Sequence, residues 1–536
     1  MKMKKFFKIF FRVLHILFII ALITALVVSI YIKIDFAHET LDEFIFYLRN
    51  GVKDADSSYI TDALKKCWLP IVLLSIFVIG FFYNLLITRE IGLVSNKPIP
   101  KKKLEKVSKE KIVKRGRESF RVRQIYPFGF INRHRIIFTV LLTGVLVTVS
   151  LYNVRVFGYI ENRMTKSDFI ENNYVVSKER NTIFPEKKRN LIILAVESLE
   201  TTFFTREQGG AWSYEVMPEL YNILEQKDTI FFSSNDKMGG ILDAYGSTWT
   251  TASLVANTTG LPFKVPINGN DYHSDNFMNG AYALGDILKD QGYYTELISA
   301  ATTSFGGLKE YFTKHGKYTI IDKDSLEEFG YKYTKDDYNP WGFNDNLLFK
   351  IAKDRLTKVS KEGKPFNETI VTIDTHQRNG YIGNYSVNMF DTQYENVYAT
   401  TSKLIGEFIS WVKKQDFYKD TTIVIFGDHL SMQADYFKNY DRNLRNRYNA
   451  IINSVVKTTN TKNRKVTAFD MYPTMLASIG VKFADDRLGL GVNLFSDKKT
   501  LAEEYGLDEM NKELEKNSEF YNKKILGSDY LKMVGE

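Results

Sequence analysis

Three segments of about twenty apolar residues, Val13 to Ile32, Cys67 to Ile87 and Ile136 to Phe157, constrain this chain more than any other feature. A backbone in lipid has no water to bond, so a single spanning segment satisfies its amides by coiling into a helix. The sequence therefore predicts three transmembrane helices, at about 13–32, 67–87 and 136–157, in a membrane domain of residues 1–157. A buried core helix is the competing reading for each, and it weighs most on the second, which holds Pro70 and Asn84. A cleaved signal peptide does not fit the first, whose apolar core is too long and is followed by no small-x-small site.

A formal charge of +9 at pH 7 would suit a nucleic-acid partner if it were spread over the chain. It is local instead. Lys97 to Arg135 carries fourteen Lys and Arg against three Glu, Met1 to Arg12 carries five more, and the remainder is mildly acidic. The excess therefore flanks apolar segments and implies a membrane, not a nucleic acid. By the positive-inside rule the N-terminus and the basic loop 89–135 are cytoplasmic. The loop Lys33 to Lys66, with seven acidic and five basic residues, lies outside, and so does everything after Phe157. The sole cysteine, Cys67, falls in the second segment, so no disulfide can staple the exported part. It has to rest on an ordinary hydrophobic core.

Residues 158–189 show no strong periodicity and read as a linker, and residues 190–496 form one globular pattern. Apolar runs at Asn190 to Val196, Thr229 to Ser233, Tyr294 to Ser299, Glu368 to Ile373 and Thr421 to Phe426 read as strands. Helical stretches fall at Met217 to Glu225, Gly280 to Gln291 and Ala399 to Lys414. Alternation of this kind predicts an α/β fold, a mostly parallel central sheet flanked by helices. The charged tail 497–536 reads as a solvated helix or a disordered end.

Three of those strands run straight into reactive residues: Glu197-Ser198, Asp374-Thr375-His376 and Gly427-Asp428-His429. Ligands of open α/β sheets bind beyond the carboxyl ends of the strands, so the three ends suggest one shared site. Gly246 to Ala256 adds a turn that opens into a helix, where Thr250 would sit beside free amides and the positive end of the helix dipole. Taken singly, Thr250 reads as an N-cap, Glu197 as a helix cap, Asp428 as an Asx turn and His429 as a loop histidine. Taken together, two carboxylates, an imidazole and a threonine oxygen make a four-ligand set for a divalent cation, which would favour ionisation of the hydroxyl.

The stretches 190–200 (Asn-Leu-Ile-Ile-Leu-Ala-Val-Glu-Ser-Leu-Glu), 246–253 (Gly-Ser-Thr-Trp-Thr-Thr-Ala-Ser), 341–345 (Trp-Gly-Phe-Asn-Asp), 372–376 (Thr-Ile-Asp-Thr-His) and 427–432 (Gly-Asp-His-Leu-Ser-Met) carry a resemblance. They resemble the phosphoglycerol transferases of the alkaline-phosphatase and sulfatase superfamily, nearest the phosphoglycerol transferase I type and more distantly the lipoteichoic acid synthases. The resemblance covers roughly Asn190 to Ser496. It implies metal ligands at Glu197, Thr250, Asp428 and His429, a nucleophile at Thr250 rather than Thr248 or Thr251, and a histidine near the transferred phosphate at His376. The implied metal is manganese, with magnesium or zinc as alternatives. The implied setting is a bacterial-type cytoplasmic membrane, multi-pass, with the catalytic domain outside.

The implied reaction takes glycerophosphate from phosphatidylglycerol onto Thr250 and passes it to a hydroxyl of an envelope glycan or polyglycerolphosphate. Trp341 and Asp345 would shape a glycerol pocket, an aromatic wall with a carboxylate to accept hydroxyl hydrogens; for Trp341 core packing is the competing reading. Arg442, and with it Arg445 and Arg447, would contact phosphate or acceptor, against a solvated surface; His273 and His315 read as structural. Gln377 and Arg378 stand where the resembled family tends to have a second His and a Pro, which separates the acceptor side from the family pattern. A sulfatase would need a Cys or Ser in a formylglycine setting, which is lacking. A phosphoethanolamine transferase would be expected in a disulfide-rich domain. A non-catalytic binder of envelope polymers is the rival from another class.

Overall fold

The computed structural model describes residues 2–36, 41–50, 58–83, 89–93, 110–115, 118–125, 129–177, 182–265, 276–433, 435–440 and 444–527. The chain divides into two compact units, Met1–Asp35 with Ser57–Phe157, and Phe36–Asp56 with Gly158–Glu536.

Among the described residues of the first unit, three helices are long and apolar enough to cross a membrane: Met3–Asp35, Ile60–Tyr83 and Arg135–Asn153. Leu17, Phe77 and Leu141 point outward from them, as suits a lipid-facing surface. Polar side chains join the helices inside the bundle. His15 bonds the hydroxyls of Tyr83 at 2.9 Å and Thr139 at 2.7 Å, and the Asn153 amide donates to Ser29 Oγ at 3.1 Å. The third helix stops short of the expected Phe157 because Arg155 takes a left-handed conformation, φ 58°, which no α-helix continues through. In the basic loop, β1 (Arg89–Leu93), β2 (Glu110–Arg115) and β3 (Glu118–Ile125) form an antiparallel sheet of order β1-β3-β2.

The second unit is built on seven strands: β4 (Asn190–Val196), β5 (Thr229–Ile230), β6 (Tyr294–Ser299), β7 (Thr319–Ile321), β10 (Phe366–Val371), β11 (Thr421–Gly427) and β12 (Asn449–Ile452). A two-strand hairpin, β8 (Tyr338–Asn339) and β9 (Gly342–Phe343), lies between β7 and β10 in sequence. The sheet order is β5-β12-β11-β4-β10-β6-β7, with β11, β4, β10, β6 and β7 parallel; β12 runs antiparallel to β11, and the edge strand β5 antiparallel to β12. Leu191, Ile193, Ala195, Val424 and Phe426 enter the core that also holds the helices Thr250–Thr259 and Ala468–Ser478. The alternate residues Ile192, Leu194, Ile423 and Ile425 are equally buried, so the central strands are covered on both faces, which explains their unbroken apolar runs. Register sets the site: Val196 lies opposite Gly427, and Ala195 opposite Val371. Three neighbouring strands therefore end level.

Two expectations for the flanks are corrected. From Lys498 to Gly527 the chain is not a solvated tail: Met510, Leu514, Tyr521, Ile525 and Leu526 are core residues. Leu507, Met510 and Leu514 recur at helical spacing inside Leu507–Glu515, an apolar stripe that surrounding charges conceal in a count by composition. Likewise 158–189 is more than a linker. Ile170 is buried in the same core, and Val175 and Ile183 pair with Gly489 and Lys482.

The loop between the first two apolar helices also contributes to this unit. It carries the helix Leu41–Asn50, whose Phe46 is 1% exposed and packs 5.1 Å from Trp249 and 5.5 Å from Phe263, ring centre to ring centre. Asp42 of that helix accepts from the Tyr245 hydroxyl at 2.5 Å and from the Val265 amide at 3.2 Å, and it pairs with Arg163.

Candidate active site

Each of the three level strand ends continues into a tight turn held by its neighbours. After β4, Glu197 donates its amide to Thr372 Oγ1 at 3.0 Å, and its carbonyl accepts from the Thr375 hydroxyl. Ser198 then takes φ 52°, a conformation uncommon for a residue with a side chain. It is held there by its amide bond to Asp428 Oδ1 at 2.8 Å and by Tyr398, whose hydroxyl donates to its carbonyl at 2.6 Å. After β11, Gly427 is required by contact: a Cβ there would lie 1.8 Å from the Leu199 carbonyl oxygen. The Asp428 carbonyl accepts from Arg447 at 2.6 Å and from the Ser253 hydroxyl.

Glu197, Asp428 and His429 offer ligand atoms all within 4.8 Å of one another, and all three are buried. His429 Nδ1 bonds the Leu430 carbonyl at 2.9 Å, which turns Nε2 toward the two carboxylates, 3.5 Å from Glu197 Oε1 and from Asp428 Oδ2. Asp428 Oδ2 is buried with no hydrogen-bond partner. Two buried carboxylates and an imidazole with an unsatisfied oxygen fit a divalent cation of the kind hard and borderline ligands hold.

Thr250 is the first residue of its helix; the N-cap is Trp249, and no side chain caps the helix. The N-cap reading of Thr250 therefore fails, and its hydroxyl lies beside the buried Glu-Asp-His group, 3.3 Å from Glu197 Oε2 and 3.4 Å from His429 Nε2. Thr251 is turned away, donating to the Gly306 carbonyl at 2.6 Å, and Thr248 Oγ1 is buried with no hydrogen-bond partner.

Electrostatics follow from this crowding. Burial and the Glu197 carboxylate push the Asp428 carboxyl up to about 7. Burial disfavours charge on His429, but Asp428 and Glu197 outweigh it and hold its pKa above the ordinary value. A cation entering this set displaces those protons. Its affinity is expected to rise as pH climbs toward about 7, where Asp428 loses its proton, and to level off above. Isothermal titration with Mn2+ between pH 5.5 and 8.5 checks this, and a pH-independent affinity would contradict it.

His376 follows β10, on the far side of β4 from Asp428 in the strand order. Its Nδ1 bonds the Gln377 carbonyl at 2.7 Å, leaving Nε2 available, and its ring lies 4.5 Å from that of Trp341. Trp341 is thus beside His376.

Asp345 does different work from that expected. Its carboxylate is wholly buried and accepts from the amides of Ile373 at 2.8 Å and Asp374 at 3.1 Å, so it holds the turn that carries His376 instead of facing a polyol. Burial, then the Asp374 carboxylate beside it, raise its pKa well above the ordinary range. Arg445 and Arg447 are buried too: Arg445 pairs with Glu200, and Arg447 braces Asp428. Arg442 and His273 lie outside the described residues. His315 is satisfied by Asp286 and the Phe277 carbonyl. Tyr398 and Ser253, which brace the ligand turns, went unread because no spacing links them to the strand ends.

With its central strands ending in this set, the chain belongs to the sulfatase family: the family model described as Sulfatase matches residues 190–481. It is similar to the phosphoglycerol transferase I of Escherichia coli SMS-3-5 and of Shigella boydii serotype 18, 28% identical over 323 residues in each case. Those matches cover 59% of this chain and 40% of each relative, so the chain spans well under half the length of the curated relatives it matches. Among solved structures, the lipoteichoic acid synthase LtaP of Listeria monocytogenes is 17% identical with a TM-score of 0.46, covering 61% of this chain and 80% of LtaP. The lipooligosaccharide phosphoethanolamine transferase A of Neisseria meningitidis is 12% identical with a TM-score of 0.48, covering 87% of this chain and 84% of the other.

Proposed function

We propose that this protein is a membrane-anchored phosphotransferase that moves glycerophosphate from phosphatidylglycerol to a hydroxyl of an envelope glycan or polyglycerolphosphate. The observation that carries the reading is the Thr250 hydroxyl, uncapped at a helix start and within 3.4 Å of both Glu197 and His429. The similarity to phosphoglycerol transferase I supports the glycerophosphate donor.

Glu197, Thr250, Asp428 and His429 would hold one divalent cation, with Mn2+ the first choice and Mg2+ or Zn2+ as alternatives. When bound, it supplies positive charge that favours the ionised threonine and offsets charge on the phosphoryl oxygens. Thr250 Oγ1 attacks phosphorus, forming the Thr–O–P bond while the bond to the diacylglycerol oxygen breaks. Its proton goes to Glu197 Oε2, and protonated His376 gives its Nε2 proton to the departing oxygen. In the second half the acceptor hydroxyl attacks phosphorus and loses its proton to His376, the Thr–O–P bond breaks, and Thr250 regains its proton. The amides of the helix start face the negative charge that develops on phosphorus-bound oxygen.

The full chain in detergent, given phosphatidylglycerol with a fluorescent acyl chain, is expected to release fluorescent diacylglycerol with Mn2+ and not with EDTA. Release from phosphatidylethanolamine but not from phosphatidylglycerol would replace the donor by phosphoethanolamine. No release from either lipid would remove the transferase reading in favour of an envelope-polymer binder.

A further inference from the structure

Beside the inward-facing Phe46, the loop helix Leu41–Asn50 presents a second ring, that of Tyr47. Half-buried, it stacks on Phe305 at 5.0 Å with planes 11° apart and lies 5.6 Å from Trp249. Phe305, also half-buried, is 5.4 Å from Trp341, and Trp341 is 4.5 Å from His376. An unbroken aromatic row thus runs from the loop helix to His376, and Trp249, immediately before Thr250, touches it from the side. Both reacting groups of the proposed transfer border one apolar strip.

Two observations say what the strip is for. Tyr47 packs one side against the core beside Phe46, and with Phe305 it keeps partly open apolar surface next to phosphate chemistry, where a polar acceptor would gain little. In the same loop Phe36 and Phe44 pair at 6.0 Å, and the Arg378 guanidinium lies 5.9 Å over Phe36. In sequence the helix stands between two membrane-spanning segments, five residues after one and seven before the other. A ligand that is anionic at one end, apolar next to it and drawn from a bilayer is a diacyl phospholipid.

We propose that Tyr47, Phe305 and Trp341 form the subsite for the ester-proximal acylglycerol part of a membrane phospholipid, with Tyr47 as a specificity-determining residue. The proposal rests on the reading that the donor is a phospholipid. Rings here would lie along the glycerol ester and the first methylenes, and so hold the phosphodiester between Thr250 and His376.

The test compares binding of dioctanoyl phosphatidylglycerol with that of its deacylated form, glycerophosphoglycerol, to the full chain in maltoside micelles, read by tryptophan fluorescence. Wild-type protein is expected to prefer the acylated ligand by about tenfold or more, a difference of about 1.4 kcal/mol. Tyr47→Ala should reduce that preference to about twofold or less while affinity for glycerophosphoglycerol stays as in wild type and the variant still melts cooperatively. Tyr47→Phe should restore the preference. A preference unchanged in Tyr47→Ala, an equal loss for both ligands, or no preference in wild type would each overturn the subsite. Binding is scored apart from turnover: a protein with this preference that releases no diacylglycerol refutes the transferase reading and leaves the subsite standing.

Discussion

Thr250→Ala is expected to lower diacylglycerol release from phosphatidylglycerol by roughly a thousandfold or more, because losing a nucleophile removes a reaction path and not merely a contact. The variant should keep its fold, since among the described residues Thr250 Oγ1 bonds only Glu197 and His429 and no side chain caps the helix start. Thr250→Ser retains an oxygen at nearly the same place and should keep a measurable fraction of the rate. Thr251→Ala provides the contrast: its hydroxyl serves the Gly306 carbonyl, so its loss should cost about 1 kcal/mol of stability and little activity. Single-turnover assays of the three variants, with melting curves beside them, decide the matter. Release by Thr250→Ala at the wild-type rate would end the nucleophile assignment.

The second large effect is on stability. Phe46→Ala should destabilise the second unit by about 3–5 kcal/mol, the usual cost of emptying an aromatic site in a packed core. The ring is 1% exposed and touches Trp249 and Phe263, and a Cβ at Gly307 would already lie 3.0 Å from its edge, so there is little slack for collapse. Phe46→Leu should recover more than half of the loss. Pulse proteolysis of the full chain in detergent measures both. Equal resistance of wild type and Phe46→Ala would show that the loop helix is not part of this core.

What could be read in the residues was whatever is local and periodic. The apolar runs at Asn190–Val196 and Thr421–Gly427 gave their strands away because both faces are covered, and the polar residues that follow them stand out against such runs. Their arrival at one place depends on register, which put Val196 opposite Gly427 and was anticipated from strand-end logic alone. Asp345 was misjudged because a carboxylate near a Trp-Gly pair looks like a polyol ligand until two backbone amides are seen to occupy it. Arg445 and Arg447 looked like solvent-facing cations, yet their partners Glu200 and Asp428 lie at distant strand ends. Leu507, Met510 and Leu514 were masked by charge, and Phe46 by its place in a loop between two spans. In each miss the deciding partner is remote in the chain, where no window along the sequence reaches.

The distance from Phe46 to its partners also has a consequence in time. Trp249 and Phe263 follow it by roughly two hundred residues, so at about 5–20 residues per second the ribosome leaves Phe46 without them for some ten seconds or longer. During that interval the helix Leu41–Asn50 is an unpaired apolar segment with acidic residues in its first turn and an arginine in its last. The late half of the chain therefore has to be made before this helix can pack into its core.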